Sequence, residues 1–141
     1  MISEHLLNQM VIISHSYLPN EFGGIFAGIK YDNLWHITDF EIPIIYSHSN
    51  LKFTRDAEYL NDYLEEIYQK SNGKIEYLGE WHTHPFGSTK YSTDDLNSMS
   101  EIAKEINTKN ETPILAIINV SYKKFYYKFY QYQNNNLIEL T

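Results

Sequence analysis

The residues of this chain best equipped for chemistry lie in Gly79-Glu80-Trp81-His82-Thr83-His84-Pro85 and, after six further residues, in Ser92-Thr93-Asp94-Asp95. Side chains alternate across an extended strand, so His82 and His84 point to one side and Thr83 to the other, bringing two imidazoles to one point. Asp95 falls in the first turn of a helix that Ser92 would open, so hydroxyl and carboxylate share a helical face and can aim back at the strand end. Three protein ligands with one open position is the arrangement of a catalytic zinc, whereas a structural zinc is closed by four. The chain has no cysteine, which excludes disulfides and thiolate sites and leaves His, Asp and Glu as the only metal ligands. Each feature also has a plainer reading. Ser92 to Asp95 fits a capping box, and that is the simpler account of it taken alone. A His-x-His on a strand can be two surface histidines. Their combination favours a metal.

The elements that must position these residues follow from periodicity and turn signals. Leu6, Met10, Ile13 and Tyr17 trace one face of a helix that Ser3 can cap and that Pro19-Asn20 stops. Two antiparallel strands follow, in Glu21 to Asn33 and from Leu34 onward, divided at the turn signal Asp32-Asn33. A second helix spans Asp56 to Ser71, with Ala57, Leu60, Tyr63, Leu64, Ile67 and Tyr68 on one stripe and Asn72-Gly73 as its stop. Lys74 to His84 reads as a strand that Pro85 and Gly87 break into a loop reaching about Tyr91. A third helix follows from Ser92 to Ile106. The last third gives a buried apolar strand, Thr112 to Val120, and then strands in Lys124 to Gln133 and Asn136 to Leu140. The order is α-β-β-α-β-α-β-β-β, with Tyr46 to Leu51 polar enough for a mobile loop.

At 141 residues the chain suits one core, and it reads as a single α/β domain over residues 1–141. No apolar run approaches the roughly 20 residues of a membrane span and no signal peptide opens it, so a soluble, cytoplasmic protein with no membrane partner is expected. A net charge of -7, from 18 acids against 11 bases, argues against nucleic acid, whose binding needs Lys and Arg to neutralise phosphates. The aromatic run Phe125 to Tyr132 could stack bases but is expected to form a packed strand, with one aromatic face available to a protein partner.

His82-Thr83-His84-Pro85, a loop, and Ser92-Thr93-Asp94-Asp95 together resemble the JAMM motif, H-x-H-P followed by S-x-x-D, of the JAB/MPN family of zinc isopeptidases. The lead-in Tyr77-Leu78-Gly79-Glu80-Trp81 is similar to that of bacterial members, and the length suits a bare JAB domain. The resemblance implies the family's fold, a cytidine-deaminase-like mixed β-sheet sandwiched by helices, with one zinc held by His82, His84 and Asp95. It also implies a general base from a distant glutamate at the start of a glycine-containing strand, a description that Glu21 in Glu21-Phe22-Gly23-Gly24 meets. Spacing alone does not separate Glu21 from Glu80, which shares a strand face with the histidines, and Glu41 near Pro43 is a remote third. Ser92 is implied as the donor that steadies the oxyanion.

What the resemblance implies of function is hydrolysis of the amide bond after a ubiquitin-like carboxyl-terminal tail. Compact members with a Gly-Glu-Trp-His-x-His-Pro lead-in are similar to deconjugases encoded beside E1-like and E2-like enzymes, including those of CBASS antiphage operons, where the conjugate is a nucleotidyltransferase joined to a target. The short loop between Pro85 and Ser92 argues against linkage-specific trimming of ubiquitin chains. Two other readings stand beside this one: a peptidase that processes a sulfur-carrier protein, which would need the same site, and a non-catalytic MPN scaffold, a fate within the family in which the metal residues are lost, whereas all five are present here.

Overall fold

A computed structural model describes residues 1–32, 34–42, 57–105 and 109–140, and its nine elements fall in the order read from the sequence. Helix α1 (Glu4–Ser16) starts where Ser3 accepts a hydrogen bond from the Leu6 amide at 3.1 Å. Its most buried line is Leu7, Met10 and Ser14, about one residue off the expected face. Leu6, Ile13 and Tyr17 flank that line and pack only partly. Ser14 escapes a hydrophobicity count because its hydroxyl donates to the Met10 carbonyl at 2.7 Å, which lets a polar side chain face the core.

Strands β1 (Gly23–Tyr31) and β2 (Leu34–Glu41) form the expected antiparallel pair, followed by helix α2 (Ala57–Lys70), strand β3 (Glu76–Thr83) and helix α3 (Thr93–Lys104). Strands β4 (Ile114–Val120), β5 (Phe125–Gln133) and β6 (Asn136–Leu140) complete the chain. Helix α2 ends at Asn72 and Gly73, both with positive φ, where the Gly73 amide returns to the Tyr68 carbonyl at 2.8 Å. The loop expected over Tyr46 to Leu51 and the expected end of α3 at Ile106 lie outside the described residues.

The sheet runs β2-β1-β3-β4-β5-β6, antiparallel except for the parallel β3–β4 pair that the α3 crossover joins. That pair closes tightly at Gly79, where a β-carbon would stand 1.9 Å from the Ile114 carbonyl oxygen, so only glycine fits there. The register of β3 against β1 slips between Phe26 and Ala27, which places Tyr77 and Glu80 on the same face, and the Tyr77 hydroxyl donates to the Glu80 carboxylate.

Helix α1 covers one face, where Met10 meets Phe22, Phe26, Leu78, Trp81 and Ile118. Helices α2 and α3 cover the other, with Leu60 against Ile25 and Tyr77, and Met99 against Leu115, Ile117 and Tyr130. The sheet therefore lies between helices, as the family resemblance implies. It is also strongly curled: Trp35 and Phe129 sit on strands four places apart, roughly 19 Å in a flat sheet, yet their ring centroids are 6.3 Å apart.

The aromatic run forms strand β5 as expected, but only its later part is packed. Tyr130 and Tyr132 are buried under α3, but Phe125, Tyr126 and Tyr127 remain 38%, 56% and 47% exposed, because the helices pack over the later part of β5 and not its start. Among the described residues no helix is long and apolar enough to cross a membrane.

Candidate metal centre

The centre forms where β3 runs out. His82 is held in the sheet between Gly23 of β1 and Ile117 of β4. His84 lies just past the strand, but its amide still donates to the Ile118 carbonyl at 2.9 Å, so the pleat continues and both rings turn toward α3. Their Nε2 atoms are 3.1 Å apart. From α3, Asp95 brings Oδ1 to 3.0 Å from Nε2 of His82 and Oδ2 to 3.5 Å from Nε2 of His84. A zinc with bonds of about 2.0–2.2 Å to a tetrahedral donor set requires ligand edges of about 3.3–3.6 Å. One donor atom from each of the three residues can be chosen so that all lie within 4.8 Å of one another, and two imidazoles with a carboxylate suit zinc's ligand preferences.

Hydrogen bonds from outside the corner orient two of the donors, His84 and Asp95. Nδ1 of His84 lies 3.1 Å from the Ser88 carbonyl oxygen, which can only accept, so that nitrogen is assigned the proton and the neutral ring keeps its Nε2 lone pair facing the corner. At Asp95 both readings of the sequence hold at once. The Ser92 amide donates to Oδ2 at 2.7 Å and the Ser92 hydroxyl accepts from the Asp95 amide at 3.0 Å, a complete capping box. A carboxylate has about four lone-pair sites, enough to cap a helix and face two imidazoles. The cap uses a lone pair of the Ser92 hydroxyl, so its hydrogen is available to donate.

Charge follows this geometry. Burial alone would raise the Asp95 carboxyl, but hydrogen bonds from His82 and His84 outweigh it and hold the group well below the usual carboxylate range. Hydrogen bonding to Asp95 raises His84 against the opposing effect of desolvation, and the charge of Glu21 adds to the rise.

Glu21 lies two residues before the first residue of β1. The Phe22 amide donates to Thr83 Oγ1 at 2.9 Å and the Thr83 amide returns to the Phe22 carbonyl at 2.8 Å, so the β1–β3 register carried one residue further sets Glu21 opposite His84. Its side chain is exposed. Glu80, the alternative that spacing left open, is only 4% exposed, lies between Ile25 and Leu115, and is bonded by Tyr77, whose hydroxyl is pushed well above its ordinary pKa by burial and by the Glu80 charge. Glu41 ends β2, beyond β1 from the histidines, and its carboxylate accepts from the Ile42 amide at 2.9 Å.

Beyond His84 the chain turns sharply. The Gly87 amide donates to the His84 carbonyl at 3.2 Å across Pro85 and Phe86, and Phe86 sits at φ 58°. This matches a type II turn, whose third position favours glycine or asparagine. Phe86 is 54% exposed, with its ring 5.5 Å from that of Tyr122. Phe86→Gly is therefore expected to raise stability by about 0.5 kcal/mol, as relief of roughly 1 kcal/mol of backbone strain outweighs one partly exposed ring contact. Thermal melting checks this, and a loss above about 1 kcal/mol would show that the ring holds the turn.

Three supports of this corner were missed at the sequence level: the Thr83 hydroxyl, the Ser88 carbonyl and Asn119. Thr83 is fully buried and Asn119 interrupts an apolar strand, and a polar side chain in such a place was the available signal. The Ser88 carbonyl had none, because it belongs to the backbone.

The sequence profile of the prokaryotic homologs of the JAB domain matches residues 3–131. A CD-NTase/cGAS isopeptidase of Enterobacter hormaechei subsp. hoffmannii (strain UCI 50) is 43% identical over 42 residues, which are 30% of this chain and 23% of that protein. The match thus spans less than a quarter of that relative. The solution structure of a Desulfitobacterium hafniense protein is similar with a TM-score of 0.72 and 15% identity, over 99% of this chain and 88% of that one. A crystal structure of a JAB1/MPN domain protein from Archaeoglobus fulgidus gives a TM-score of 0.60 and 18% identity, over 99% and 94%. At such identities the likeness speaks of the fold alone. With the profile covering nearly the whole chain and the curled mixed sheet agreeing with it, the chain belongs to the prokaryotic homologs of the JAB domain.

Proposed function

We propose that this chain is a zinc-dependent isopeptidase that cuts the amide bond after the carboxyl-terminal tail of a ubiquitin-like protein, releasing it from a conjugate made by an E1-like and E2-like system. The observation that carries this reading is the meeting of two imidazoles and one carboxylate at 3.0 to 3.5 Å, with the charge of Glu21 acting on His84. The isopeptidase named for the Enterobacter relative supports the reaction class, and its CD-NTase supports a CBASS nucleotidyltransferase as the conjugated protein.

His82, His84 and Asp95 would hold the metal. Zinc bound there supplies Lewis acidity, which draws the pKa of a water toward neutrality. The Glu21 carboxylate takes the proton from the attacking water as its oxygen bonds to the carbonyl carbon, then gives it to the departing nitrogen as the C–N bond breaks. The products are the free tail carboxylate and the lysine amine, and no covalent enzyme intermediate is needed. Ser92 donates its remaining hydroxyl hydrogen to the developing oxyanion.

Ser92→Ala is expected to lower turnover by roughly a hundredfold to a thousandfold with zinc still bound, and to lose about 1 kcal/mol of stability with the cap. Turnover beside metal content separates the roles: zinc lost with the activity would mean that the hydroxyl only secures α3. The reading as a whole is tested by elemental mass spectrometry of the purified chain and by chelator-sensitive cleavage of ubiquitin-like fusions. Absence of zinc after reconstitution would sink it.

A further inference from the structure

His84 is the donor with the least secondary structure beneath it. It follows the last residue of β3 and precedes the turn through Phe86, so its ring is only as steady as the backbone at that point. That backbone is tied at two atoms. The amide reaches the Ile118 carbonyl, and the carbonyl accepts from the Gly87 amide inside the turn and from Nδ2 of Asn119 at 3.0 Å. The Gly87 bond belongs to the same turn and moves with it. The Asn119 bond comes from outside, from the central strand β4.

Asn119 breaks the otherwise apolar run Ile114 to Val120. Ile118 and Val120 face α1 and Ile117 faces α3, so alternation puts Asn119 on the α3 face, the side on which both histidine rings lie. The parallel register that pairs Thr83 with Ile118 brings Asn119 alongside His84. Because the His84 carbonyl can only accept, the amide group of Asn119 must present its NH2 to it. A strand otherwise built for burial thus spends a polar position on one carbonyl of one ligand.

We propose that Asn119 is a positioning residue of the metal centre: its amide anchors the His84 backbone to β4, so that Nε2 stays within ligand distance of His82 and Asp95. This rests on the reading of those three side chains as metal ligands. Groups that orient a ligand from behind typically contribute tenfold to a hundredfold in metal affinity. Asn119→Asp keeps the shape and turns an amide donor into an acceptor facing the His84 carbonyl. Asn119→Thr suits a strand and lacks a donor at that reach.

The experiment is a competition titration of zinc ion against a chromophoric chelator, on the wild type, both variants and Tyr130→Phe. Tyr130 donates to the Thr89 carbonyl at 2.7 Å, so its loss perturbs the same loop away from His84. Metal-free melting is measured beside it. The expected result is zinc affinity at least about tenfold weaker in both Asn119 variants, little changed in Tyr130→Phe, with metal-free melting near that of the wild type. If either folded Asn119 variant binds zinc as the wild type does, or if Tyr130→Phe weakens binding equally, the positioning role is overturned while the metal centre stands. If the wild type itself binds no zinc, the ligand assignment falls and this inference falls with it.

Discussion

Asp95→Asn is expected to leave the chain folded and to reduce its zinc from one per chain to almost none. The amide oxygen of asparagine can still accept from the Ser92 amide, so the start of α3 keeps its cap. What disappears is the anionic donor, and two neutral imidazoles form a poor site for an ion that prefers three or four good ligands. Elemental mass spectrometry reads the loss. The same variant should flatten a dependence on pH. In the metal-free wild type, His84 is raised above its ordinary 6.5, so its partnership with Asp95 contributes stability that is complete below that value and lost as pH climbs through the raised one. Asp95 is lowered from 3.8, so its contribution is complete above that value and lost as pH falls through the lowered one. Metal-free wild type should therefore melt lower on the alkaline side of neutrality than just below it, and Asp95→Asn should show almost no such slope. Added zinc should reverse the trend, because an ion held by His84 would compete with protons for it and its stabilisation would grow with pH. A wild-type melting curve indifferent to both zinc and pH would contradict the assignment.

Glu21→Gln should retain zinc and fold normally while turnover falls by roughly 10²- to 10⁴-fold, the usual range for removing a general base. The side chain is exposed just before β1 and is not among the three donors that meet, so its replacement by an isosteric amide should leave the core and the donor set in place. Glu80→Gln is the informative partner. That carboxylate is buried and takes the Tyr77 hydroxyl, so its replacement should lower stability and spare turnover per folded molecule. Single-turnover cleavage of a ubiquitin-like fusion distinguishes the two. Activity lost with Glu80 and kept without Glu21 would move the proton-transfer role to the buried residue.

The parts of this molecule legible in sequence were those written in local patterns. Ser3 as a cap, Asn72-Gly73 as a stop and alternation at His82 and His84 each depend on a few consecutive residues, and each stands where it was read. Pairing across the chain was not legible. Nothing in Gly79-Glu80-Trp81-His82 announces that its neighbours are β1 and β4, or that the β3 register slips so that Tyr77 shares a face with Glu80. That slip is what separates Glu80 from Glu21: alternation placed Glu80 beside the histidines, and only the fold shows it roofed by Tyr77 and apolar neighbours. The exposed start of β5 was hidden for a similar reason, since an aromatic run has the same composition whether or not a helix covers it.

The capping box at Ser92 and Asp95 has a consequence for how the centre would load. Ordering flexible side chains around an ion usually subtracts from the affinity that the ligand bonds provide. Here the Asp95 carboxylate is already clamped by a backbone amide, His84 is already turned by the Ser88 carbonyl, and the backbone of His82 is held in the middle of a sheet. An ion arriving at this corner meets preorganised donors, so little of the gain from coordination is given back as lost side-chain entropy. Uptake would then be governed by encounter and by the departure of protons and water rather than by refolding, and amide hydrogen exchange in β3 and the first turn of α3 would be nearly as slow before loading as after.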